Sequence, residues 1–254
     1  HLEYLRWRNR HLKPISIQLY TVREAAAQDF PGTLRKIAEI GYKAVEYAGL
    51  HGHGPKEIAK LVSDLGMKAS SSHTGLPTEE TVGAIVETEA ILGNTRIISG
   101  FGPDAFKTAD AVKEAAAKFN KASELVKKHG MTFGMHNHWW EFDEIDGKYI
   151  YDILLAEAPD MFSELDVYWT AFGHADPVEV VSKNKSRLPL LHIKDGMLEE
   201  GKHVHTAVGS GKLDIPAIIA AADPNVLEYV VVELDACETD MMQAVKDSYR
   251  YLTS

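Results

Sequence analysis

The chain has 254 residues, of which 45% are hydrophobic and 25% charged, and this composition is typical of a folded globular protein rather than a disordered one. An excess of 37 acidic over 27 basic residues gives a formal net charge of -10, which repels phosphate backbones and anionic membrane surfaces. No run of about 18 apolar residues is present, so we expect neither a membrane span nor a nucleic-acid partner. The single cysteine, Cys237, excludes an intrachain disulfide and a four-thiolate zinc site, so metal ligands would be mainly His, Asp or Glu.

Residues 1–13 (HLEYLRWRNRHLK) have mixed charge and lack the apolar stretch of a signal peptide. We interpret them as an extension, left by processing or by truncation upstream, that precedes one domain over residues 14–254. Tyr4, Leu5 and Trp7 could pack on that domain or on a partner. We expect a soluble protein, either cytoplasmic or periplasmic if an upstream signal peptide has been removed.

From residue 15 on, short apolar or β-branched runs alternate with longer amphipathic segments rich in Ala, Lys and Glu, which is the pattern of repeated βαβ units. Helices are predicted at 31–40, which is followed by Gly41, and at 105–129, whose last turn is basic. The eight apolar runs predict eight strands, at 15–20, 44–48, 67–72, 94–100, 131–138, 162–167, 188–194 and 229–234.

Eight strand–helix units in a chain of this length favour a single-domain (β/α)8 barrel, the TIM barrel. An open doubly wound sheet would be marked by a GxGxxG turn after the first strand, and none is present there. Residues 209–212 (GSGK) resemble part of a phosphate loop but lack its upstream glycine and the Ser or Thr after the lysine. We interpret them as a loop leading to a helix that starts near Pro216.

Ionisable residues follow or end the last four predicted strands, on the side where barrels of this type build their active sites. Burial of the charged residues at the ends of apolar strands costs free energy unless those residues are paired or bind a cation. Carboxylates and imidazoles without a thiolate suit one divalent ion, Mn²⁺, Mg²⁺, Co²⁺ or Zn²⁺. The predicted ligands are Glu141, Asp166, His192 and Glu233.

Two histidines in the fifth predicted strand offer an alternative ligand. His136 and His138 alternate with Asn137, so both side chains are expected on the same, inward side of the strand. Either of them could replace Glu141 as the ligand from this strand.

Several strings, HNHWWEF, LDVYWTAFGHADP, LLHIKDG and VVVELD, together with SSSH at the end of the third strand, resemble the sugar phosphate isomerase/epimerase family of xylose isomerase-like barrels. The resemblance spans nearly the whole chain from residue 15 and extends to inosose dehydratases and ketose 3-epimerases. It implies a metal held by Glu, Asp, His and Glu from strands five to eight, and an acid/base pair formed by the two glutamates. Asp166, His192 and Glu233 match that pattern. Many relatives have Glu where this chain has His136, whereas an HNHxxEF subgroup offers Glu141.

The resemblance therefore implies an isomerase or epimerase that acts on a sugar or keto-sugar through a metal-stabilised enediolate. Glu141 and Glu233 would flank the reacting carbon, one removing its proton and the other returning it. No arginine cluster lies near the predicted site, so a neutral or oxidised sugar fits better than a sugar phosphate. The predicted substrate contacts are His73, His136, His138, Trp169 and Lys194.

Three other functions are alternatives to this one. A lyase or dehydratase could expel a leaving group from the same enediolate, with an inosose or a 3-keto-glycoside as substrate. A non-catalytic sugar-binding barrel would not need the acid/base pair. A multi-metal DNA endonuclease could use Glu46, His51 and His53 near the second strand, but the net charge of -10 argues against DNA. A homo-oligomer is compatible with the sequence, although no interface is evident in it.

Overall fold

The computed structural model describes residues 13–199 and 201–254, so most of the predicted extension at 1–13 lies outside the described residues. Each barrel strand pairs in parallel with the next along the chain, and the last pairs with the first, which leaves no open sheet edge. The predicted (β/α)8 barrel is confirmed. The eight strands are β1 (Ile15–Gln18), β2 (Ala44–Tyr47), β3 (Lys68–His73), β4 (Arg96–Ser99), β5 (Thr132–His136), β6 (Phe162–Asp166), β7 (Leu190–Ile193) and β8 (Tyr229–Val232).

Helices surround the barrel, and none in the described part of the chain combines the length and apolar character needed to cross a bilayer. The helix predicted at 31–40 begins at Phe30, because the Asp29 side chain caps it by accepting from the Gly32 N–H. The segment predicted as one helix at 105–129 divides in two, because the Thr108 side chain accepts from the Ala111 N–H and starts a new helix there. The α-helices are Arg23–Gln28, Phe30–Ile40, Pro55–Asp64, Val82–Leu92, Ala109–Lys127, Ile150–Glu157, Val167–Phe172, Pro177–Asn184, Ile215–Ala220 and Met241–Thr253, and the short 3-10 helices are Leu19–Val22, Pro103–Phe106, Trp140–Phe142 and Lys185–Arg187.

The barrel interior contains a small apolar cluster in addition to the charged groups near the carboxyl ends of its strands. Ile98, Leu190 and Val231 form a buried inner cluster, against which Phe162 packs. Gly134 leaves room for the Phe162 ring, because a Cβ at this glycine would lie 2.2 Å from it.

A hairpin not predicted from the sequence follows β7 directly and consists of Asp195–Glu199 paired with Lys202–Thr206. The buried Asp195 carboxylate accepts from the backbone N–H groups of Gly209, Gly211 and Leu213 at 3.0, 3.0 and 3.2 Å. The GSGK segment is therefore a loop, as predicted, and its N–H groups bind an internal carboxylate. The helix Ile215–Ala220 follows it, close to the predicted start at Pro216.

Candidate metal centre

Four buried side chains converge at the carboxyl end of the barrel, one from each of the last four strands. Their ligand atoms all lie within 4.8 Å of one another. Residues at inward positions of neighbouring parallel strands meet in this way because side chains alternate along each strand and the strand ends share one rim. The structure thus brings three of the four predicted ligands together with His136. The four residues are His136, Asp166, His192 and Glu233.

Apart from the contact of His192 Nδ1 with Glu233 Oε2, which is a hydrogen bond, the spacing between these atoms fits a cation better than direct hydrogen bonds. His192 Nδ1 lies 3.1 Å from Glu233 Oε2 and 3.8 Å from Asp166 Oδ2, and His136 Nε2 lies 3.9 Å from the same Asp166 oxygen. Bonds of about 2.1 Å to a central ion place neighbouring ligand atoms about 3.0 to 3.5 Å apart and opposite ones about 4.2 Å apart. Asp166 Oδ2 is buried without a hydrogen-bond partner, as expected for an oxygen that faces a cation site.

Lys194 lies beside this group and balances part of its negative charge. Its fully buried ammonium is 2.8 Å from Asp235 Oδ2, 3.0 Å from Glu233 Oε2 and 3.1 Å from Asp166 Oδ2, the last without hydrogen-bond alignment. Burial alone would lower the pKa of Lys194, but the three carboxylates hold it above its ordinary value. The same ammonium lies 4.9 Å from the centre of the Trp169 ring.

A second group of side chains contacts the opposite edges of the same imidazoles. His192 Nε2 is 2.6 Å from Glu46 Oε1 and 2.9 Å from Glu164 Oε1. His73 Nε2 is 2.7 Å from Glu164 Oε1, and His136 Nδ1 is 3.2 Å from it. His73, His136, Glu164 and His192 could themselves surround an ion. However, the shortest contacts have the length of direct charge-assisted hydrogen bonds, so we interpret this group as support for the rings.

Sequence reasoning missed Glu164 and gave Glu46 no part in this site. Glu164 precedes Asp166 by two residues in β6, and side chains two apart along a strand share a face. That alternation could have revealed Glu164. Glu46 is the penultimate residue of β2 and lies 146 positions before His192, so the contact between them depends on barrel closure.

Burial and neighbouring charges act in opposite directions on the ligand carboxylates. Burial raises the pKa of Asp166 when taken alone, but Lys194 and the imidazoles lower it to about 2. The pKa of Glu233 is likewise held well below its ordinary value, because Lys194 and His192 outweigh burial. Burial lowers the pKa of His136 to about 4, which leaves a neutral ring near neutral pH. Ionised carboxylates and the neutral His136 ring are the forms that bind a cation. Burial lowers the pKa of His192 when taken alone, but Glu164, Glu46 and Glu233 hold it well above its ordinary value, so this ring must lose a proton to bind the ion.

A cavity of about 320 Å³ opens beside these residues. Three imidazoles line it, those of His73, His136 and His138, together with the rings of Phe101 and Trp140. Imidazoles can exchange hydrogen bonds with hydroxyls, and aromatic faces suit the apolar faces of a sugar ring. Three of the predicted substrate contacts therefore share one cavity.

Trp169 is placed differently from the predicted substrate contact. It is not among the residues that line the cavity and is only 4% exposed. Its ring packs against Trp139 and against His203 and His205 of the hairpin after β7. In the described structure Trp169 joins the hairpin to the barrel mouth.

Glu141 belongs to neither group of potential ligands. Its Oε2 accepts from the backbone N–H of His138 at 2.8 Å. Burial raises the pKa of Glu141 to about 8. Glu141 thus closes the turn after β5, and this geometry favours His136 as the ligand from that strand.

Comparison with known proteins gives a consistent result. The sequence profile of the family described as xylose isomerase-like TIM barrel matches residues 34–254. No curated protein sequence matches the chain. A sugar phosphate isomerase/epimerase from Parabacteroides distasonis is 28% identical, with a TM-score of 0.80 over 95% of this chain and 98% of that one. Two structures at 13% identity share the fold. The probable 3-DHS dehydratase AsbF from Bacillus anthracis has a TM-score of 0.76, and the match covers 94% of this chain and 98% of that one. The IolI protein with a bound zinc atom has a TM-score of 0.75, and the match covers 94% of this chain and 96% of that one.

Proposed function

Because the chain belongs to the xylose isomerase-like TIM barrel family, we propose that it is a divalent-cation-dependent isomerase or epimerase of a sugar or keto-sugar. The observation that carries the proposal is the buried group of two imidazoles and two carboxylates beside a cavity lined by further imidazoles. The similar structure from P. distasonis is named a sugar phosphate isomerase/epimerase, which supports the reaction class. The zinc atom in IolI supports a metal on this fold.

In this proposal His136, Asp166, His192 and Glu233 hold the cation. Two nitrogen and two oxygen ligands suit Zn²⁺, Mn²⁺ or Co²⁺ better than Mg²⁺, which prefers oxygen ligands alone. When bound, such an ion polarises a carbonyl and stabilises the negative charge that develops as a neighbouring C–H proton leaves.

Glu233 and His73 are the residues to which we assign proton transfer. Glu233 is ionised because its pKa is held low, and its carboxylate can accept a proton from the substrate carbon. His73 lines the cavity, and its Nε2 is bound to Glu164 at 2.7 Å. Burial lowers the pKa of His73, but Glu46 and Glu164 raise it to about 10, so its ring can donate a proton at neutral pH. Glu141 has no part in this proposal because it faces the turn after β5.

The cavity favours an uncharged region of the substrate. None of the described residues that line it is an arginine or a lysine, and the charged ring there, His73, is already paired with Glu46 and Glu164, so a phosphate group would find no unpaired cation. A neutral or oxidised sugar therefore fits better than a sugar phosphate. The imidazoles and the Trp140 ring supply hydrogen bonds and an apolar face for it.

The test combines metal analysis with uptake of solvent deuterium into ketoses, inososes and 3-keto-glycosides in the presence of Mn²⁺. We expect wild-type protein to bind the ion and to exchange a proton next to the carbonyl. Asp166→Ala should lose both properties together, and Glu233→Gln should lose turnover far more than substrate binding. Exchange followed by loss of water would identify a lyase.

The matched control is Glu141→Gln, which keeps an acceptor for the His138 N–H and should retain both the ion and the exchange. Loss of metal in this variant would return Glu141 to the ligand set in place of His136. Wild-type protein that binds no ion and exchanges no proton would contradict the proposed enzyme and favour a sugar-binding barrel.

A further inference from the structure

Glu46 is a fully buried carboxylate that both neighbouring strands hold in one orientation. Its Oε1 accepts from Gln18 Nε2 in β1 at 2.7 Å, and its Oε2 accepts from Ser71 Oγ in β3 at 2.5 Å. The Gln18 amide is oriented in turn, because its Oε1 accepts from the Tyr20 N–H at 2.9 Å. Two oriented donors on opposite sides leave this carboxylate little freedom to rotate.

A register shift in the sheet creates this arrangement. Val45 pairs with Ala69, but Glu46 pairs with Ser71, so β3 carries one more residue than β2 at this point. Such a bulge changes the direction of the side chains beyond it. Here it sets the Ser71 hydroxyl opposite Glu46, and the in-register pair Gln18 and Glu46 completes the contact on the other strand.

The two nitrogens of His192 face different groups. Nε2 lies 2.6 Å from Glu46 Oε1, whereas Nδ1 faces Glu233 Oε2 at 3.1 Å and Asp166 Oδ2 at 3.8 Å. An imidazole that donates Nε2–H to a carboxylate presents the lone pair of Nδ1 on its other side. We infer that Glu46 is a positioning residue that fixes the His192 ring with Nδ1 toward the cation site, an inference that rests on the proposed function.

Glu164 also contacts His192, but its geometry fits this role less well. Its Oε1 is shared among His192 at 2.9 Å, His73 at 2.7 Å and His136 at 3.2 Å. Its Oε2 has no hydrogen-bond partner. Glu46 Oε1 also lies 3.2 Å from His73 Nε2, but Glu46 gives His192 the shorter contact and has a donor on each of its oxygens, so it is the better constraint on the ring.

If Glu46 positions His192, a change at Glu46 should alter the affinity of the protein for the metal, and this affinity can be measured without turnover. Glu46→Gln keeps the size of the side chain and removes its charge, so the hydrogen bond to His192 weakens and the ring becomes a poorer ligand. Loss of such a partner typically lowers metal affinity by about 10- to 100-fold. We expect a Zn²⁺ dissociation constant raised within that range.

Glu89→Gln is the matched control. Glu89 is also a buried carboxylate with two donors, Ser72 Oγ at 2.6 Å and Asn94 Nδ2 at 2.7 Å, but it makes no hydrogen bond or ion pair with any histidine in the part of the chain that the structure describes. The experiment measures Zn²⁺ affinity of the full chain by competition with a chromophoric chelator, the visible spectrum of the Co²⁺-loaded protein, and thermal unfolding without metal. The expected result is weaker Zn²⁺ binding and an altered Co²⁺ spectrum in Glu46→Gln, with both unchanged in Glu89→Gln.

Ser71→Ala provides a second variant in case Glu46→Gln does not fold, because it removes one anchor of the carboxylate and leaves the charge. It should weaken Zn²⁺ binding in the same direction but by less. Wild-type affinity and spectrum in the Glu46 and Ser71 variants would overturn the positioning role. Equal losses in Glu46→Gln and Glu89→Gln would do the same, since they would show only a structural effect. A wild-type protein without affinity for Zn²⁺, Mn²⁺ or Co²⁺ would instead overturn the proposed function, and the role of Glu46 with it.

Discussion

Several side chains of this site belong to pairs of residues that lie two positions apart in the sequence. Glu164 and Asp166 are one such pair, and His192 and Lys194 are another. Both members of a pair point inward because side chains alternate along a strand, while Leu165 and Ile193 between them are fully buried on the outer face. One member supplies a ligand, and the other contacts a neighbouring ligand of opposite charge.

Glu141 makes folding stability depend on pH. Burial raises its pKa in the folded chain to about 8, against an ordinary value of 4.5. Between these values the folded state binds more protons than the unfolded state, so the free energy of unfolding falls as pH rises through this window and levels off above it. Glu141→Gln removes this contribution, by about 1.4 kcal/mol for each unit of pKa difference.

As the pH rises from about 5 to about 8, we therefore expect the free energy of unfolding to fall less in Glu141→Gln than in wild type, as measured by urea unfolding. Glu144→Gln, which changes an exposed acid in the same segment, should follow the wild-type curve. Parallel curves for wild type and Glu141→Gln would contradict the buried, protonated carboxyl.

The sequence pattern was sufficient to identify which strand ends carry ionisable groups. It did not show which of two residues near the end of β5, His136 or Glu141, turns inward. His136 and Glu141 are five positions apart, and the choice depends on the 3-10 turn Trp140–Phe142, which directs Glu141 toward the His138 N–H. The contact of Glu46 with His192 joins residues 146 positions apart and required the closed barrel.

At the level of elements, the strands were predictable because most are short apolar or β-branched runs and several follow a glycine that ends a helix, and all eight lie within or next to their predicted ranges. The hairpin Asp195–Thr206 was not, because its strands are largely exposed and lack a clear alternation of apolar and polar residues. Its attachment depends instead on Asp195, which bonds to backbone groups more than ten residues further along the chain.

Asp195→Ala should detach the loop at Gly209 and Gly211 from the base of the hairpin. The change leaves several backbone N–H groups without their acceptor, and each such loss costs about 1 kcal/mol or more. We expect the free energy of unfolding to fall by about 3 kcal/mol and proteolysis near this loop to increase. Asp176→Ala, which removes only an exposed helix cap, should cost about 1 kcal/mol. Equal effects of the two changes would contradict the anchoring role of Asp195.

At the level of the whole molecule, the barrel closes around an excess of negative charge. Glu46, Glu164, Asp166 and Glu233 are buried in its mouth together with Lys194, the one buried lysine among the described residues. A cation that binds these carboxylates should stabilise the folded state, because the four strand ends that form its site are assembled only in that state.

Addition of Zn²⁺ or Mn²⁺ should therefore raise the thermal unfolding temperature. An ion present at about 100 times its dissociation constant contributes about 2.7 kcal/mol, which corresponds to a shift of about 5 to 10 °C for a chain of this size. Differential scanning calorimetry with and without the ion checks this. Asp166→Ala is the control and should show no shift, and a wild-type protein whose unfolding temperature ignores both ions would argue against the metal centre.

The aromatic residues at the mouth also give the protein a built-in optical probe. Three of its four tryptophans, Trp139, Trp140 and Trp169, belong to one cluster there. Trp140 lines the cavity, and the Lys194 ammonium lies 4.9 Å from the Trp169 ring. Indole emission responds to polarity and to nearby charge, so a ligand that enters the cavity beside Trp140 should change the emission of this cluster. Occupancy of the barrel could thus be followed in solution without a label.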